Sequence, residues 1–290
     1  MELLILCAGA ADKSWTGEKS RRPLRSKGKR QAQKIGTWMG QRGIRPDLVL
    51  TSSDLRARVT AEKALKAAGW TARNIQRSPA LAEGSLPELA DAGRGLLVAP
   101  VGTVRTLMDR FGLDPDLAPG VLIRLSHQRS GTSLTARVDP KDLPDLFPYP
   151  APDGPERRER PAYYYTQSAV IPYRLTAEGK EILIVGSSSG RHWVVPKGNV
   201  EPGLSPAESA VVEAREEAGV EGRIVNGAIG AFTYEKWGAT CQVVVFAMEV
   251  TRVLSDEEWE EQHRTRKWMP SEEAAALLHL PEFRKIVSEL

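Results

Sequence analysis

Between residues 147 and 162 the chain reads FPYPAPDGPERRERPA, with five prolines and a cluster of alternating charges. Proline favours extended backbone and the charges resist burial, so this stretch reads as a linker. It divides the 290 residues into 1–146 and 163–290, each long enough to bury a core of its own. No internal repeat is apparent across it, and the two halves have different patterns.

Before the linker, LLIL (3–6), DLVLTSS (47–53), GLLVAP (95–100) and VLIRL (121–125) read as strands. Helical patterns lie near 27–43 and 54–69. Strand and helix alternate, which predicts an α/β sheet with much parallel pairing. After the linker, strands fit AVIPYRL (169–175), EILIVGSS (181–188), HWVVP (192–196), AIGAFTYE (228–235) and CQVVVFAMEV (241–250). Helices fit 206–218 and 271–279, with a further helical turn or two after Pro281. This order predicts an α+β fold or an αβα sandwich built on a mixed sheet.

Hydrophobic residues make up 41% and charged ones 27%, as in ordinary soluble proteins. A net charge of +3 is too small for a general nucleic-acid binder, although local basic clusters suit a polyanionic ligand of modest size. The two cysteines, Cys7 and Cys241, are far apart and lack metal-ligand spacing, which argues for a reducing compartment. No apolar run approaches the roughly 18 to 20 residues of a membrane helix. The opening MELLILCAGAADKSW has no basic segment before its apolar stretch and reads as a first β-strand. A cytoplasmic protein is expected.

The segment GLSPAESAVVEAREEAGV carries its own helix grammar. Ser205 is an N-cap, Pro206 suits the first helical position, and Glu208 completes a capping box. Gly219 supplies the left-handed residue that ends the helix. Glu213, Glu216 and Glu217 then share one face at its C-terminal end. Mutual repulsion and the helix dipole both oppose them there. A solvated acidic face is the ordinary explanation of such a run, and here it is weakened by those two effects. Something positive is absent from this stretch and required in the folded protein. Two or three divalent cations of the Mg²⁺ kind would neutralise the cluster, and such ions favour carboxylates together with substrate phosphates.

Preceded by VVPKGNVEPG, this segment resembles the Nudix box, Gly-x5-Glu-x7-Arg-Glu-U-x-Glu-Glu-x-Gly-U with U aliphatic. Counted from Gly198, the chain keeps Glu213, Ala214 as a small U, Glu216, Glu217, Gly219 and Val220. The first glutamate of the pattern is Leu204 and the arginine is Val212. The resemblance covers about residues 163–290. It implies a Mg²⁺- or Mn²⁺-dependent attack of water on a diphosphate linkage. Glu213, Glu216 and Glu217 are the implied catalytic and metal-holding residues, with the Gly198 carbonyl as a further ligand and Glu217 as the least replaceable.

The run EILIVGSSSGRHWVVPKG resembles the diphosphoinositol and diadenosine polyphosphate branch of that family. It places Ser187, Ser188, Ser189, Arg191 and Lys197 beside the metal site, and hydroxyls and cations on a loop suit a densely phosphorylated substrate. Arg264, Arg266 and Lys267 extend that surface on this reading; a basic edge without a ligand explains them as well. Tyr234 and Trp237, expected in a loop after AIGAF, are candidates to stack on a nucleotide base or to cap the core. Tyr163, Tyr164 and Tyr165 are expected to form an edge strand or to pack on the linker.

In the first half, LILCAGA, then RRPLRSKGKRQA, then DLVLTSSDLRARVTAEKAL resembles the histidine phosphatase superfamily over about residues 1–145. Cys7 and Ala8 stand where that family has an arginine and its nucleophilic histidine. Arg56-Ala57-Arg58-Val59-Thr60 matches the family's phosphate-binding arginine segment, so Arg56 is retained as a substrate-binding candidate. The third landmark reads Ala99-Pro100-Val101-Gly102. The only histidine before the linker is His127, so a mechanism with two histidines cannot be assembled. The resemblance implies a non-catalytic domain, with a scaffold role favoured over an anion sensor.

The expectation is thus a two-domain α/β protein: residues 1–146 a degenerate histidine-phosphatase-like α/β sandwich, 147–162 a linker, and 163–290 a Nudix αβα sandwich with a mixed sheet. Its expected activity is pyrophosphohydrolysis of a polyphosphorylated small molecule, with diadenosine polyphosphates or diphosphoinositol phosphates ahead of single nucleotides. Hydrolysis of an oxidised nucleoside triphosphate, and a phosphate sensor without turnover, stay open. Hydrolysis at RNA 5′ ends is disfavoured because no aromatic and basic single-strand platform is evident. Membrane and nucleic-acid partners are not expected, and a homodimer stays open.

Overall fold

A computed structural model describes residues 1–89, 93–128, 131–149 and 156–290. The chain separates into two compact units, Met1–Tyr149 and Pro150–Leu290.

The first unit is built on a six-stranded sheet in the order β3-β2-β4-β1-β5-β6. Its strands are β1 (Glu2–Cys7), β2 (Leu48–Thr51), β3 (Ile75–Arg77), β4 (Arg94–Ala99), β5 (Leu122–Gln128) and β6 (Gly131–Val138). Strands β3, β2, β4 and β1 run parallel, whereas β5 and β6 pair antiparallel. Successive residues of a strand face opposite sides. Leu3, Ile5 and Cys7 therefore pack with Val104, Leu107 and Met108 of α4 (Val101–Arg110), and Leu81 of α3 (Pro79–Ala82) joins that face. Leu4, Leu6 and Ala8 pack on the other face with Ile35 and Met39 of α1 (Ser26–Gln41) and Ala57, Ala61 and Ala64 of α2 (Leu55–Ala67). The expected α/β sandwich is present. The helix α4 and the strands β3 and β6 are additions to the elements read from the sequence.

Of the stretch 147–162, residues 150–155 lie outside the described part. Two-residue strands β7 (Phe147–Pro148) and β8 (Arg157–Arg158) fall in the remainder. The three tyrosines do not make an edge strand; Tyr164 and Tyr165 pack on the linker residues Arg160 and Arg158. Ala162–Tyr165 is a 3-10 turn, because Tyr165 is drawn wholly inside, where its hydroxyl donates to the Trp237 carbonyl at 3.3 Å.

The second unit carries a mixed sheet in the order β11-β10-β9-β14-β13, with β12 on β9 and β15 on β10. These strands are β9 (Thr166–Thr176), β10 (Gly179–Gly186), β11 (Trp193–Val194), β12 (Lys197–Asn199), β13 (Val220–Lys236), β14 (Ala239–Val253) and β15 (Arg266–Pro270). Only β9 and β14 run parallel among these pairs. Leu183 and Val185 meet Ala210, Ala214 and Ala218 of α5 (Pro206–Ala218) on one face. Ile182 and Ile184 meet Ala274, Ala275, Phe283 and Val287 of α6 (Ser271–Leu277) and α7 (Pro281–Ser288) on the other. This is the αβα sandwich, with α5 held close to the sheet by its row of alanines.

Candidate active site

Helix α5 presents the site, and its ends are determined locally. Ser205 Oγ accepts from the Glu208 amide at 3.2 Å, while Glu208 Oε2 accepts from the Ser205 amide at 2.7 Å. Gly219 ends the helix at φ 62°, ψ 41°, and a side chain there would strike Trp259 and Arg266. On the sheet side Val211, not Val212, joins the apolar cluster under the helix.

The three glutamates have different surroundings. The carboxylate of Glu213 lies against the Cα of Gly198 in β12, so close that a Cβ at 198 would fall 1.7 Å from its Oε1. Glu217 accepts from the Lys197 amide at 2.9 Å through Oε2 and from Arg264 Nη2 at 2.6 Å through Oε1. Glu216 offers its carbonyl to the Trp259 indole at 3.0 Å. Arg264 is 8% exposed, also pairs with Glu261, and donates to the Gly186 carbonyl at 3.2 Å. Arg266 donates to the carbonyls of Ala218, Gly219 and Leu254 at 3.3, 3.1 and 2.9 Å.

Arg264 and Arg266 turn their guanidinium groups inward, Arg266 onto carbonyls of the chain and Arg264 onto Glu217, while Arg264 also lines a cavity with Ser187 and Arg191. They turn inward because the last turn of α5 leaves carbonyls and carboxylates that demand donors. Part of the missing positive charge is therefore in the chain, 47 residues beyond Glu217.

It is not enough for Glu213. Burial, then repulsion by Glu217, Glu216, Glu201 and Glu261, pushes its carboxyl up to about 8. Burial also raises Glu217, against the opposing pull of the Lys197 amide and Arg264. Burial depresses Lys197, with Lys236 adding to the effect. Among the described residues no three Asp, Glu, His or Cys side chains converge on a ready-made cation site. The donors are nonetheless carboxylate oxygens, half-buried, crowded and under mutual repulsion, which is the chemistry of a hard divalent cation.

Lys197 does not point at open solvent. Its Nζ donates to Gln167 Oε1 at 2.7 Å, the atom that also accepts from the Tyr234 hydroxyl at 2.7 Å. Tyr234 lies within β13 and not in a loop. Trp237 sits at the hairpin turn, edge-on to Tyr164 and Tyr165 with Arg160 and Lys236 over its ring. Both aromatics are thus held by the protein's own side chains. Ser187, Ser188, Arg191, His192, His263 and Arg264 line a cavity of about 180 Å³, and Ser189 joins their loop through Ser187 at 3.2 Å. The residues missed in the sequence are Gln167, which reads as a mere polar lead-in to a strand, and Arg264 and Trp259 as supports of α5.

In the first unit, Arg56 opens onto two adjoining cavities at the start of α2. Its Nε is 3.8 Å from Asp54 Oδ1, too far for a hydrogen bond. Thr60 Oγ1 accepts from the Gly9 amide at 3.0 Å. Cys7 is fully buried and pushed up to about 12, so it is an inert thiol. His127 is engaged by Thr132 at 2.7 Å and by the Phe111 ring.

The profile of the NUDIX domain matches residues 165–290. Human diphosphoinositol polyphosphate phosphohydrolase 3-alpha is 30% identical over 135 residues, 45% of this chain and 80% of that protein. The chain belongs to the Nudix family. Nudix proteins of this class hydrolyse phosphoric anhydride bonds, and the family generally uses divalent metal ions. The asymmetrical bis(5′-nucleosyl)-tetraphosphatase of Sus scrofa is another Nudix relative, 29% identical over 113 residues, 38% of this chain and 77% of that one. The histidine phosphatase superfamily (branch 1) profile matches residues 4–93. The protein histidine phosphatase SixA complexed with tungstate aligns at 17% identity and a TM-score of 0.42, over 49% of this chain and 99% of its own. Among the described residues no helix is long and apolar enough to cross a membrane.

Proposed function

We propose that the second unit is a Mg²⁺- or Mn²⁺-dependent pyrophosphohydrolase that cleaves a diphosphate linkage in a small molecule carrying several phosphates. The observation that carries this reading is the end of α5, where Glu213 and Glu217 are half-buried against β12 and Glu213 is raised to about 8 by burial and then by the surrounding carboxylates. Glu213, Glu216 and Glu217, with the Gly198 carbonyl, are the groups that would hold the cation. A divalent cation bound there polarises phosphoryl oxygens and lowers the pKa of water.

The chain's own residues do the remaining work. Arg264 and the Lys197 amide fix the Glu217 carboxylate from two directions. Gly198 leaves the space that Glu213 needs. Ser187, Ser188 and Arg191 supply hydroxyl donors and a guanidinium at the 180 Å³ cavity, where phosphate oxygens can be oriented. Water is activated by one of the glutamates as a base.

Two supports favour diadenosine polyphosphates or diphosphoinositol phosphates over single nucleotides. The named relatives act on compounds of those two kinds. Tyr234 and Trp237 are held by the protein's own side chains, which favours the base-free diphosphoinositol phosphates. The first unit is read as a pseudophosphatase, since Cys7 and Ala8 leave no nucleophile at the end of β1.

The test is anion-exchange analysis of products, with and without Mg²⁺ or Mn²⁺. The panel holds diadenosine polyphosphates, diphosphoinositol phosphates, and oxidised and normal nucleoside triphosphates. Metal-dependent cleavage of one of the first two classes is expected. Preferred cleavage of oxidised triphosphates would move the substrate assignment. Binding without cleavage would favour a sensor, the reading to which Leu204 and Val212 lend support.

A further inference from the structure

In β9 a serine is closed off from water with its hydroxyl unspent. Ser168 is 0% exposed, and its Oγ has no hydrogen-bond partner among the described residues. A buried hydroxyl without a partner costs free energy, so buried polar groups nearly always have one. The sheet determines which way this hydroxyl faces. Side chains alternate along a strand, and residues directly opposite each other in an antiparallel pair share a face. Ala169 and Ile171 belong to the cluster under α6 and α7, whereas Val170 belongs to the cluster under α5. Ser168 therefore lies on the α5 face with Val170.

Register supplies its neighbours on that face. Ser168 stands opposite Gly198 of β12 on one side and beside Val244 of β14 on the other. Val244 offers only methyl groups. Gly198 offers no side chain, and the space in front of it is filled by the carboxylate of Glu213, whose Oε1 would fall 1.7 Å from a Cβ at 198. Ser168 and Glu213 thus approach the same bare spot, one from the sheet and one from the helix.

Their deficits are complementary. Glu217 accepts from the Lys197 amide and from Arg264. Glu213 accepts from no donor among the described residues, and its charged neighbours Glu217, Glu216, Glu201 and Glu261 repel it. A buried donor without an acceptor is therefore one cross-strand step, about 5 Å between Cα atoms, from the glycine that a carboxylate without a donor covers. Size is the ordinary explanation of a serine here, since α5 approaches the sheet through Ala210, Ala214 and Ala218. Alanine would meet that demand without burying a hydroxyl.

We propose that Ser168 is a positioning residue for Glu213: with a divalent cation on one carboxylate oxygen, the Ser168 hydroxyl donates to the other. The last torsion of a glutamate is soft, so this oxygen can turn from Gly198 toward the hydroxyl without movement of the backbone. A ligating carboxylate held by such a bond keeps its orientation. The inference rests on the reading of α5 as a cation site and gives Glu213 the support that Glu217 already has. Ser168 itself touches neither substrate nor water in the reaction.

The experiment is titration of the metal-free full-length protein with Mn²⁺, followed by electron paramagnetic resonance, for wild type, Ser168→Ala and Glu213→Gln. Relative to wild type, Ser168→Ala should bind Mn²⁺ about tenfold more weakly and Glu213→Gln at least as weakly, as expected when a group that holds or orients a metal-binding carboxylate is removed. Thermal melting separates positioning from a role in the fold. Because an unsatisfied buried hydroxyl is removed, Ser168→Ala should melt in EDTA at the wild-type temperature or above it, while the rise on adding Mn²⁺ becomes smaller. Unchanged Mn²⁺ affinity in Ser168→Ala, with Glu213→Gln weakened, would overturn the proposal and leave the cation site standing. Equal affinity in all three proteins would remove the site and the proposal together. Melting of Ser168→Ala several degrees below wild type in EDTA would assign the hydroxyl to the fold and overturn the proposal as well.

Discussion

Glu217 was legible as a candidate because the box around it is local in sequence. Arg264 was not, because nothing near it signals that its guanidinium folds back to a carboxylate 47 residues earlier. At 8% exposure it is the buried partner of Glu217 and Glu261, and it stands as a support of that carboxylate in a chain whose box position 212 is valine. Arg264→Ala is predicted to lower turnover roughly 10- to 100-fold, the usual effect of removing a group that orients a metal-binding side chain. Arg264→Ala with Val212→Arg should regain part of it, as measured by kcat and by the Mg²⁺ concentration for half-activity. Failure of Val212→Arg to change either quantity would show that the two positions do not substitute for each other. Glu213 leads to a pH prediction. Its carboxyl is raised to about 8, so the folded chain binds this proton more tightly than the unfolded one. The stability so gained is complete below the ordinary carboxylate range and is lost as pH rises through about 8. Metal-free protein should melt at a lower temperature at pH 8.5 than at pH 5.5, and Glu213→Gln should flatten that slope. An unaltered slope would mean that other groups set it.

The boundaries of α5 could be read from its letters because both ends are made by short-range chemistry, the Ser205–Glu208 box and the left-handed Gly219. Ser205→Ala is predicted to cost about 1 kcal/mol by chemical denaturation, with little change in the glutamates at the far end. Gly198→Ala should do the reverse. The nearest atoms a Cβ there would meet all belong to the Glu213 carboxylate, the far end of a side chain, so the fold survives while that side chain is displaced. A shift of this size is expected to cost on the order of 100-fold in kcat at nearly unchanged melting temperature. Elements governed by long-range pairing were harder to read. Strand β13 starts well before the segment read from the sequence, because irregular pairing around Ile224–Gly230, with Asn226 at φ 62°, breaks the apolar alternation that marks a strand. Strand β6 is largely polar and exposed, so it has no apolar period to find; its place comes from pairing with β5. Helix α4 begins directly after Pro100, in a stretch from which no helix was read.

At the scale of the whole chain, the alternation of strand and helix before the proline-rich stretch and the mixed order after it were sufficient for two sandwiches, because class follows from the sequence of elements. What each sandwich does was legible to unequal degrees. The second gathers its candidate residues on one helix. The first shows only what it lacks, with Cys7 and Ala8 at the end of β1. The central claim is that the carboxylates at the end of α5 drive cleavage of a phosphoanhydride. The most direct measurement is the rate of product formation, on whichever panel compound the wild-type protein cleaves best, for wild type, Glu213→Gln and Glu217→Gln at saturating Mg²⁺. Circular dichroism should confirm that all three are folded. Metal-dependent turnover is expected in the wild type, falling at least about 100-fold in either variant. Equal rates in the three proteins, or a folded wild type that cleaves nothing, would contradict it.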